Sequence, residues 1–195
     1  MDDIMRLAQA RGVAVIEDCA QANGAHYRDR PIGGLGHVGA FSYCQDKIIT
    51  TGGEGGMVTT DDKQLWSWMW SYKDHGKSWN AVYEREHAPG YRWVHESFGT
   101  NWRMIEMQAA IGLIQLDRLA EWTARRTDIA DRITRACSGF GALRVPWVPN
   151  DVVHGFYRLY AFVNPDKLAP GWDRDRIVEA IKAEGVPCLH GSASE

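Results

Sequence analysis

The sequence lacks an apolar run close to the roughly 18 residues that a membrane-spanning helix requires. Its first residues, MDDIMRLAQARG, carry two acidic side chains and no apolar core, so a secretion signal is not expected. A surplus of basic charge is also absent, because the formal net charge is −3, and this argues against nucleic-acid binding. We therefore expect a cytoplasmic protein that binds neither membranes nor nucleic acid.

The sequence also lacks closely spaced metal ligands. The four cysteines lie far apart and include no CxxC pair, so we expect reduced thiols rather than a disulfide or zinc framework. The histidines of the segment 72–96 have irregular spacings and no accompanying carboxylate pattern, so we expect no metal site there either. The residues concerned are Cys19, Cys44, Cys137, Cys188, His75, His87 and His95.

What the sequence does contain is ordinary for a globular protein with a buried core. Apolar residues make up 45% and charged residues 24% of the 195 positions. Nine tryptophans are many for this length, and several lie between Trp66 and Trp102. Since each indole covers a large apolar area, we expect extensive buried or partner-facing surfaces in that part of the chain.

The first part of the chain alternates between helical and strand patterns, which indicates an α/β fold. An amphipathic helix is expected at the N-terminus, ending at Gly12, and a second over DDKQLWSWMWSYKDHG with an aspartate as its N-cap. The continuous, β-branched run VAVIE is typical of a strand buried on both faces of a parallel sheet. The expected strands are residues 13–17, 38–43 and 56–60.

A different organisation is expected after residue 103. Apolar residues recur at helical spacing from Met104 to about Cys137, which predicts one long helix or a helix with a break. The segment FYRLYAFV then predicts a strand, and DRDRIVEAIKAEG a helix capped by Asp173 and ended by Gly185. We therefore divide the chain into part of a large domain, residues 1–122, and an incomplete small α+β domain, residues 123–195.

One lysine lies in an unusual setting. Lys47 follows an apolar run and precedes a glycine-rich loop, in the stretch SYCQDKIITTGGEGGMVTT. Ser42 lies five residues before it, and Asp18 and Gln21 lie at and just beyond the carboxyl end of the first predicted strand, where open α/β sheets bind ligands. Taken singly, Asp18 is equally well explained as a turn residue and the glycines as turns.

Taken together, these segments resemble a known family. IEDCAQANGA, GAFSYCQDKIITTGGEGGMVTTDD and FGTNWRMIEMQAAIGLIQL occur in fixed order. They are similar to the motifs of the DegT/DnrJ/EryC1/StrS sugar aminotransferases, which are pyridoxal phosphate-dependent enzymes of fold type I. The resemblance implies an α/β fold with a mixed, mostly parallel sheet, and it weakens in the last third of the chain.

The resemblance also implies roles for individual residues. Lys47 would bind the pyridoxal 5'-phosphate covalently and carry protons during catalysis, and Asp18 would keep the cofactor's ring nitrogen protonated. Ser42 would donate to the cofactor phosphate, and Gln21 would lie against the ring. Members that deoxygenate sugars carry histidine in place of the lysine, so Lys47 favours amino transfer.

Two further positions match the family pattern. Asn101, in FGTNWRM, corresponds to an asparagine that reaches the cofactor phosphate of a neighbouring subunit, which implies a homodimer with a shared active site. His75, in DHG, corresponds to a position near the sugar. Arg103 is equally compatible with a phosphate contact and with a structural anchor, and the roles of His154 and His190 stay open.

The expected function is amino transfer from glutamate or glutamine to a nucleotide-linked keto-sugar, for amino-sugar and surface polysaccharide biosynthesis. The family's N-terminal phosphate-binding loop does not occur in this sequence, so we expect an internal fragment of such an enzyme. The alternative is a catalytically inactive fragment that acts at most as an assembly or interaction module. The pattern leaves open which sugar, which carbon and which donor are used.

Overall fold

The computed structural model describes residues 1–191, which form two compact units. The first contains Met1–Thr123 together with Asn150–Tyr157, so a short later segment returns to it. The second contains Ala124–Pro149 and the described residues from Arg158 onward. None of the helices in the described part of the chain combines the length and apolarity that a bilayer crossing requires.

Two small sheets form the β-structure of the first unit. Strand β1 pairs in parallel with β4, and β4 pairs antiparallel with β5, which gives the order β1-β4-β5. A second sheet, in the order β3-β2-β7, is antiparallel and includes a strand of the returning segment. The strands are β1 (Ile16–Asp18), β2 (His26–Tyr27), β3 (Arg30–Pro31), β4 (Val38–Ser42), β5 (Gly56–Thr59) and β7 (Val152–Val153).

The first predicted strand is shorter and more exposed than its sequence indicates. Regular β-structure covers Ile16–Asp18, and the expectation that 13–17 is buried on both faces is wrong, since Val13 is 56% and Ile16 70% exposed. Within the described residues β1 has one hydrogen-bonded neighbour, β4, and is therefore an edge strand. Val15 and Glu17 are half-buried, so the segment is covered in part, whereas Val13 and Ile16 stay exposed.

Local signals mark the end of the first helix and the start of the second. Helix α1 (Asp2–Arg11) ends at Gly12, which adopts a left-handed conformation with φ 63°. Helix α2 (Lys63–Lys73) is capped by Asp62, whose carboxylate accepts hydrogen bonds from the backbone of Gln64 and Leu65. Helix α3 (Glu106–Ser138) runs for 33 residues without a break, because it contains no proline and only one glycine.

An aromatic cluster covers one side of α2. The Trp79 ring lies 5.2 Å from Trp66, 5.1 Å from Trp70 and 4.3 Å from Tyr83, measured between ring centroids. Tyr83 belongs to a π-helical turn, Asn80–Glu84, in the segment that follows α2. The edge-to-face geometry of Trp79 with both α2 tryptophans is the arrangement that aromatic quadrupoles favour, so this cluster fixes the turn against the helix.

The second unit contains the part of α3 from Ala124 onward, a two-stranded antiparallel sheet and one further helix. Strand β6 (Leu143–Arg144) pairs antiparallel with β8 (Phe162–Val163), and helix α4 (Arg174–Ala183) starts at Asp173, whose carboxylate accepts from the Arg176 backbone. The cap at Asp173 is confirmed, and Gly185 follows the helix with φ 79°. The strand predicted over FYRLYAFV is largely wrong: only Phe162–Val163 pairs, and Tyr157 lies in the first unit.

Candidate active site

The carboxyl ends of β1 and β4 place two candidate residues on neighbouring parallel strands. Asp18 lies opposite Ala40, two residues before Ser42, the last residue of β4. The Asp18 carboxylate is exposed and accepts a hydrogen bond from the Ala20 backbone at 3.1 Å, which fixes the turn after β1. Gln21 lies in the same turn, also exposed.

Ser42 is connected to this turn through a buried amide. The Asn23 side chain is 3% exposed, and its Nδ2 donates to the Ser42 carbonyl at 3.5 Å. The Ser42 hydroxyl accepts from the Cys44 backbone at 3.4 Å. Asn23 therefore joins the loop after β1 to the end of β4, and this hydrogen bond holds the two strand ends together.

Lys47 follows in the loop after β4, and most of its side chain is covered. The side chain is 17% exposed, and its Nζ lies 3.9 Å from Asp46 Oδ1 and 5.0 Å from the centroid of the Tyr157 ring. The Tyr157 hydroxyl donates to the other oxygen of the Asp46 carboxylate. This hydrogen bond, followed by the charge of Lys47, lowers the pKa of Asp46 from its ordinary value.

The glycine-rich loop is fixed between β4 and α3. The backbone of Tyr43 donates to the Gly55 carbonyl at 2.8 Å, and Gln108 of α3 donates to the Glu54 carbonyl at 2.7 Å. A Cβ atom on Gly55 would lie 2.2 Å from the Thr51 hydroxyl oxygen, so only glycine fits there. The loop that follows the lysine is therefore closely packed.

His75 and Asn101 lie in a second group, around Asp74. The backbone of His75 donates to the Thr100 carbonyl at 3.0 Å, and Asn101 pairs with Asp74 in an isolated β-bridge. Asp74 is 7% exposed and accepts a hydrogen bond from Lys77 at 3.3 Å, and its Oδ1 atom forms an ion pair with Arg103 Nε at 3.3 Å. Of the two roles left open for Arg103, this contact supports the structural anchor.

The remaining histidines make local contacts. His154 Nδ1 accepts from the Phe156 backbone at 3.0 Å, and the two rings lie 4.5 Å apart. Desolvation lowers the pKa of His154, which favours the neutral ring that can accept this bond. His190 Nδ1 lies 3.5 Å from an Asp175 carboxylate oxygen. Within residues 1–191, no three metal-ligating side chains of His, Cys, Asp or Glu converge.

A profile of the DegT/DnrJ/EryC1/StrS aminotransferase family matches residues 1–190. The chain belongs to the DegT/DnrJ/EryC1/StrS family. Its fold is that of the fold-type-I pyridoxal phosphate-dependent transferases, of which the chain contains part.

Individual relatives agree with this family assignment. A GDP-perosamine synthase of Caulobacter vibrioides is 42% identical over 194 residues, which are 97% of this chain and 48% of that protein. The spore coat polysaccharide biosynthesis protein SpsC of Bacillus subtilis (strain 168) is 38% identical over 94% of this chain and 46% of its own length. The crystal structure of an aminotransferase from Psychrobacter cryohalolentis superposes with a TM-score of 0.94 at 58% identity, over 96% of this chain and 50% of that one. The chain thus spans about half the length of the curated relatives it matches.

Aminotransferases of this family depend on pyridoxal phosphate, and the residues around Lys47 are compatible with that cofactor. A lysine whose side chain is largely covered suits an aldehyde partner, because a covered linkage is protected from water. The carboxylate of Asp18 and the hydroxyl of Ser42 supply an anionic group and a donor at adjacent strand ends. Gly55 lets the loop after the lysine pack closely against Thr51. The donor set therefore fits the chemistry that this family uses.

Three residues near the candidate lysine had not been identified from the family motifs. Asp46 precedes Lys47 directly and Asn23 lies in the motif IEDCAQANGA, but the family resemblance implies no role for either residue. Tyr157 lies 110 residues after Lys47 and has no local signal, because only the return of 150–157 to the first unit brings it there.

The buried thiol next to Asp18 predicts a loss of stability at alkaline pH. Cys19 is 1% exposed, and burial, reinforced by the nearby Glu17 carboxylate, raises its pKa from 9.0 to about 11. Between these values the unfolded chain loses a proton that the native state retains, so stability falls as the pH rises. Relative to Cys19→Ala, the wild-type free energy of unfolding should decline by up to about 3 kcal/mol between about pH 8 and about pH 11.

Urea unfolding at both pH values measures this decline. The matched control is Cys137→Ala, which removes a less buried thiol and should follow the wild-type curve. Parallel curves for wild type and Cys19→Ala would contradict the assignment of this pH dependence to Cys19.

Proposed function

We propose that this protein is a pyridoxal phosphate-dependent aminotransferase that acts on a nucleotide-linked keto-sugar, with glutamate or glutamine as amino donor. The observation that carries the proposal is the position of Lys47: its side chain is largely covered, and it lies between the strand end that carries Ser42 and a closely packed glycine loop. Amines in such settings are typical of covalent catalysis with carbonyl partners.

Each residue of the site then has a chemical task. Lys47 would bind the cofactor aldehyde and would afterwards carry a proton on its Nζ atom. Asp18 would hold the ring nitrogen in its protonated form, Ser42 would donate to the phosphate, and Gln21 would lie against the ring. When bound, the cofactor supplies the electron sink for removing a proton next to the transferred nitrogen. The exposure of Asp18 and Gln21 at the strand end leaves both side chains accessible to a ligand.

The relatives support the choice of substrate class. They include GDP-perosamine synthases of Escherichia coli O157:H7 and Caulobacter vibrioides, and a transaminase named for a dTDP-linked amino sugar in Streptomyces venezuelae. Together with the spore coat polysaccharide protein, these names favour amino-sugar biosynthesis for surface polysaccharides. His75, exposed beside the Asp74 group, is the residue that we assign to the sugar.

We assign the exposed surface around Asn101 to a second copy of the chain. Phe98 is 97% and Trp102 68% exposed, and Met107 at the start of α3 is exposed as well. Neighbouring apolar residues of this size are typical of a covered interface rather than of a free surface. A homodimer would bury them and bring Asn101 to the partner's site, in agreement with the family pattern.

Reductive trapping tests the proposal. The purified chain is incubated with pyridoxal phosphate at a concentration below that of the protein and reduced with borohydride, and peptide mass spectrometry then locates the added mass. We expect the label on Lys47 in preference to the other five lysines, and a visible band of the bound cofactor that is lost in Lys47→Ala.

Two results would contradict the proposal. Label distributed over exposed lysines such as Lys63, with no preference for Lys47, would mean that the amine has no cofactor site around it. An unchanged spectrum in Lys47→Ala would mean the same, and Lys63→Ala is the matched control for loss of an amine. Either result would favour an inactive assembly module.

A further inference from the structure

The segment that carries Tyr157 is fixed against the lysine loop by unusual backbone geometry. Gly155 is buried, and a Cβ there would lie 3.0 Å from the Asn23 carbonyl oxygen and 3.2 Å from the side chain of Ile48, the residue after Lys47. Phe156 adopts a positive φ of 46°, stabilised by its backbone hydrogen bond to His154. Non-glycine residues rarely adopt this conformation, which costs about 1–2 kcal/mol.

Tyr157 and Asp46 both contact the amine of Lys47. The Lys47 Nζ lies over the tyrosine ring and near one carboxylate oxygen, while the tyrosine hydroxyl donates to the other oxygen. The three side chains form a closed triangle in which each member contacts both others. The hydrogen bond from the Tyr157 hydroxyl to one oxygen of the Asp46 carboxylate fixes where the other oxygen points, which is toward Lys47. Tyr157 therefore acts on Lys47 in two ways, directly through its ring and indirectly through Asp46.

We propose that Tyr157 and Asp46 are positioning residues for Lys47, which hold its amine in the orientation that cofactor attachment requires. The inference rests on the proposed function. The returning segment 150–157 is then part of the active site, although it is separated from the lysine by more than the whole of α3. Neither residue touches the cofactor in this proposal; both act through Lys47.

Tyr157 and Asp46 could position the Lys47 amine or merely shield it from solvent. Two reactions of Lys47, acylation and attachment of pyridoxal phosphate, distinguish these roles. A small acylating reagent in bulk solution needs only an accessible, uncharged amine. Attachment of pyridoxal phosphate also needs the amine to point at the site. Removing a positioning residue should therefore raise acylation of Lys47 and lower cofactor attachment, whereas removing a mere shield should raise both.

The experiment compares Tyr157→Leu, Tyr157→Phe and Asp46→Asn in the full chain. Acetylation of Lys47 is measured by peptide mass spectrometry relative to Lys63, an exposed lysine in the same sample, without cofactor. We expect Tyr157→Leu and Asp46→Asn to raise the ratio about two- to fivefold. Tyr157→Phe, which keeps the ring, should give a smaller rise.

In the same variants, trapping of pyridoxal phosphate on Lys47 should fall by about two- to fivefold. The double variant Asp46→Asn/Tyr157→Phe should show less than the product of the single effects, because the hydroxyl acts through the carboxylate. Controls are Tyr91→Leu and Asp61→Asn, which change exposed residues of the same types. Tyr157→Phe retains the aromatic packing, so it reports the hydroxyl's role even where Tyr157→Leu unfolds.

The outcomes separate this inference from the proposed function. An unchanged acetylation ratio in Asp46→Asn and Tyr157→Phe overturns the positioning role, as does a rise in both acetylation and trapping. If wild-type Lys47 takes no cofactor but its acetylation responds as expected, the contact is supported and the proposed function fails. If Lys47 is trapped equally in all variants, the proposed function holds and the positioning role fails.

Discussion

Replacing Glu17 with alanine is expected to lower the free energy of unfolding by about 3 kcal/mol. The Glu17 carboxylate accepts three backbone hydrogen bonds from the loop before β4, from Gly33 at 3.0 Å, Leu35 at 2.7 Å and Gly36 at 2.6 Å. These are charge-assisted bonds in a partly buried loop, and alanine would leave all three donors without their acceptor. Because Glu17 lies between Ile16 and Asp18, the loss would also loosen the strand that carries Asp18.

Urea unfolding followed by tryptophan fluorescence measures this effect. Glu17→Gln should lie between the wild type and Glu17→Ala, because the amide retains one accepting oxygen instead of two. Glu121→Ala, at an exposed position of α3, should stay within about 0.5 kcal/mol of the wild type. Unfolding midpoints that coincide for Glu17→Ala and Glu121→Ala would show that solvent replaces the carboxylate at no cost.

The helix boundaries that were predicted from sequence depend on chemistry within one or two turns. The Asp62 and Asp173 carboxylates cap backbone N–H groups two or three residues ahead, and Gly12 supplies the left-handed residue that ends α1. These signals need no tertiary partner. They were correct for that reason, and the continuity of α3 follows similarly from the absence of proline.

The strands were predicted less well because a strand is defined by its neighbours. The apolar run at 13–17 was expected to be buried, but β1 pairs on one side only and Ile16 is exposed. The pattern FYRLYAFV has strong β-propensity, yet its first residues belong to the returning segment and only Phe162–Val163 finds a partner, β6. The β-propensity of a segment indicates that it can form a strand, but the length of that strand depends on the neighbouring strand with which it pairs.

The candidate site shows the same division. Asp18, Ser42 and Lys47 could be predicted because they lie within short motifs at strand ends, and the parallel register of β1 and β4 brings the first two to one edge. Tyr157 could not, since its contact with Lys47 depends on a return of the chain across 110 residues. The roles of the motif residues remain proposals that the trapping experiment tests.

Substituting Gly76 with alanine is expected to lower the free energy of unfolding by about 3–5 kcal/mol. Gly76 has φ 72°, and a Cβ built on it would lie 1.7 Å from the Ser97 carbonyl oxygen. The glycine N–H donates to the Ser71 carbonyl, and its own carbonyl accepts from Glu96 and Ser97, so a methyl group would disturb a segment that three backbone hydrogen bonds hold. This is the loop that holds His75 and Asn101 beside Asp74.

A matched control separates the close approach from the backbone conformation. Gly12 has nearly the same φ, 63°, but a Cβ there would meet nothing within 4 Å, so Gly12→Ala should cost only the left-handed conformation, about 1–2 kcal/mol. Urea unfolding compares the two variants, and the rate of trypsin cleavage at Arg92 reports the loop locally. Equal losses in Gly12→Ala and Gly76→Ala would mean that the loop moves aside at no cost. A larger loss at Gly76, with faster cleavage at Arg92, would mean that the contact of Gly76 with Ser97 fixes the loop, and with it the two residues that we assign to the sugar and to the partner's cofactor phosphate.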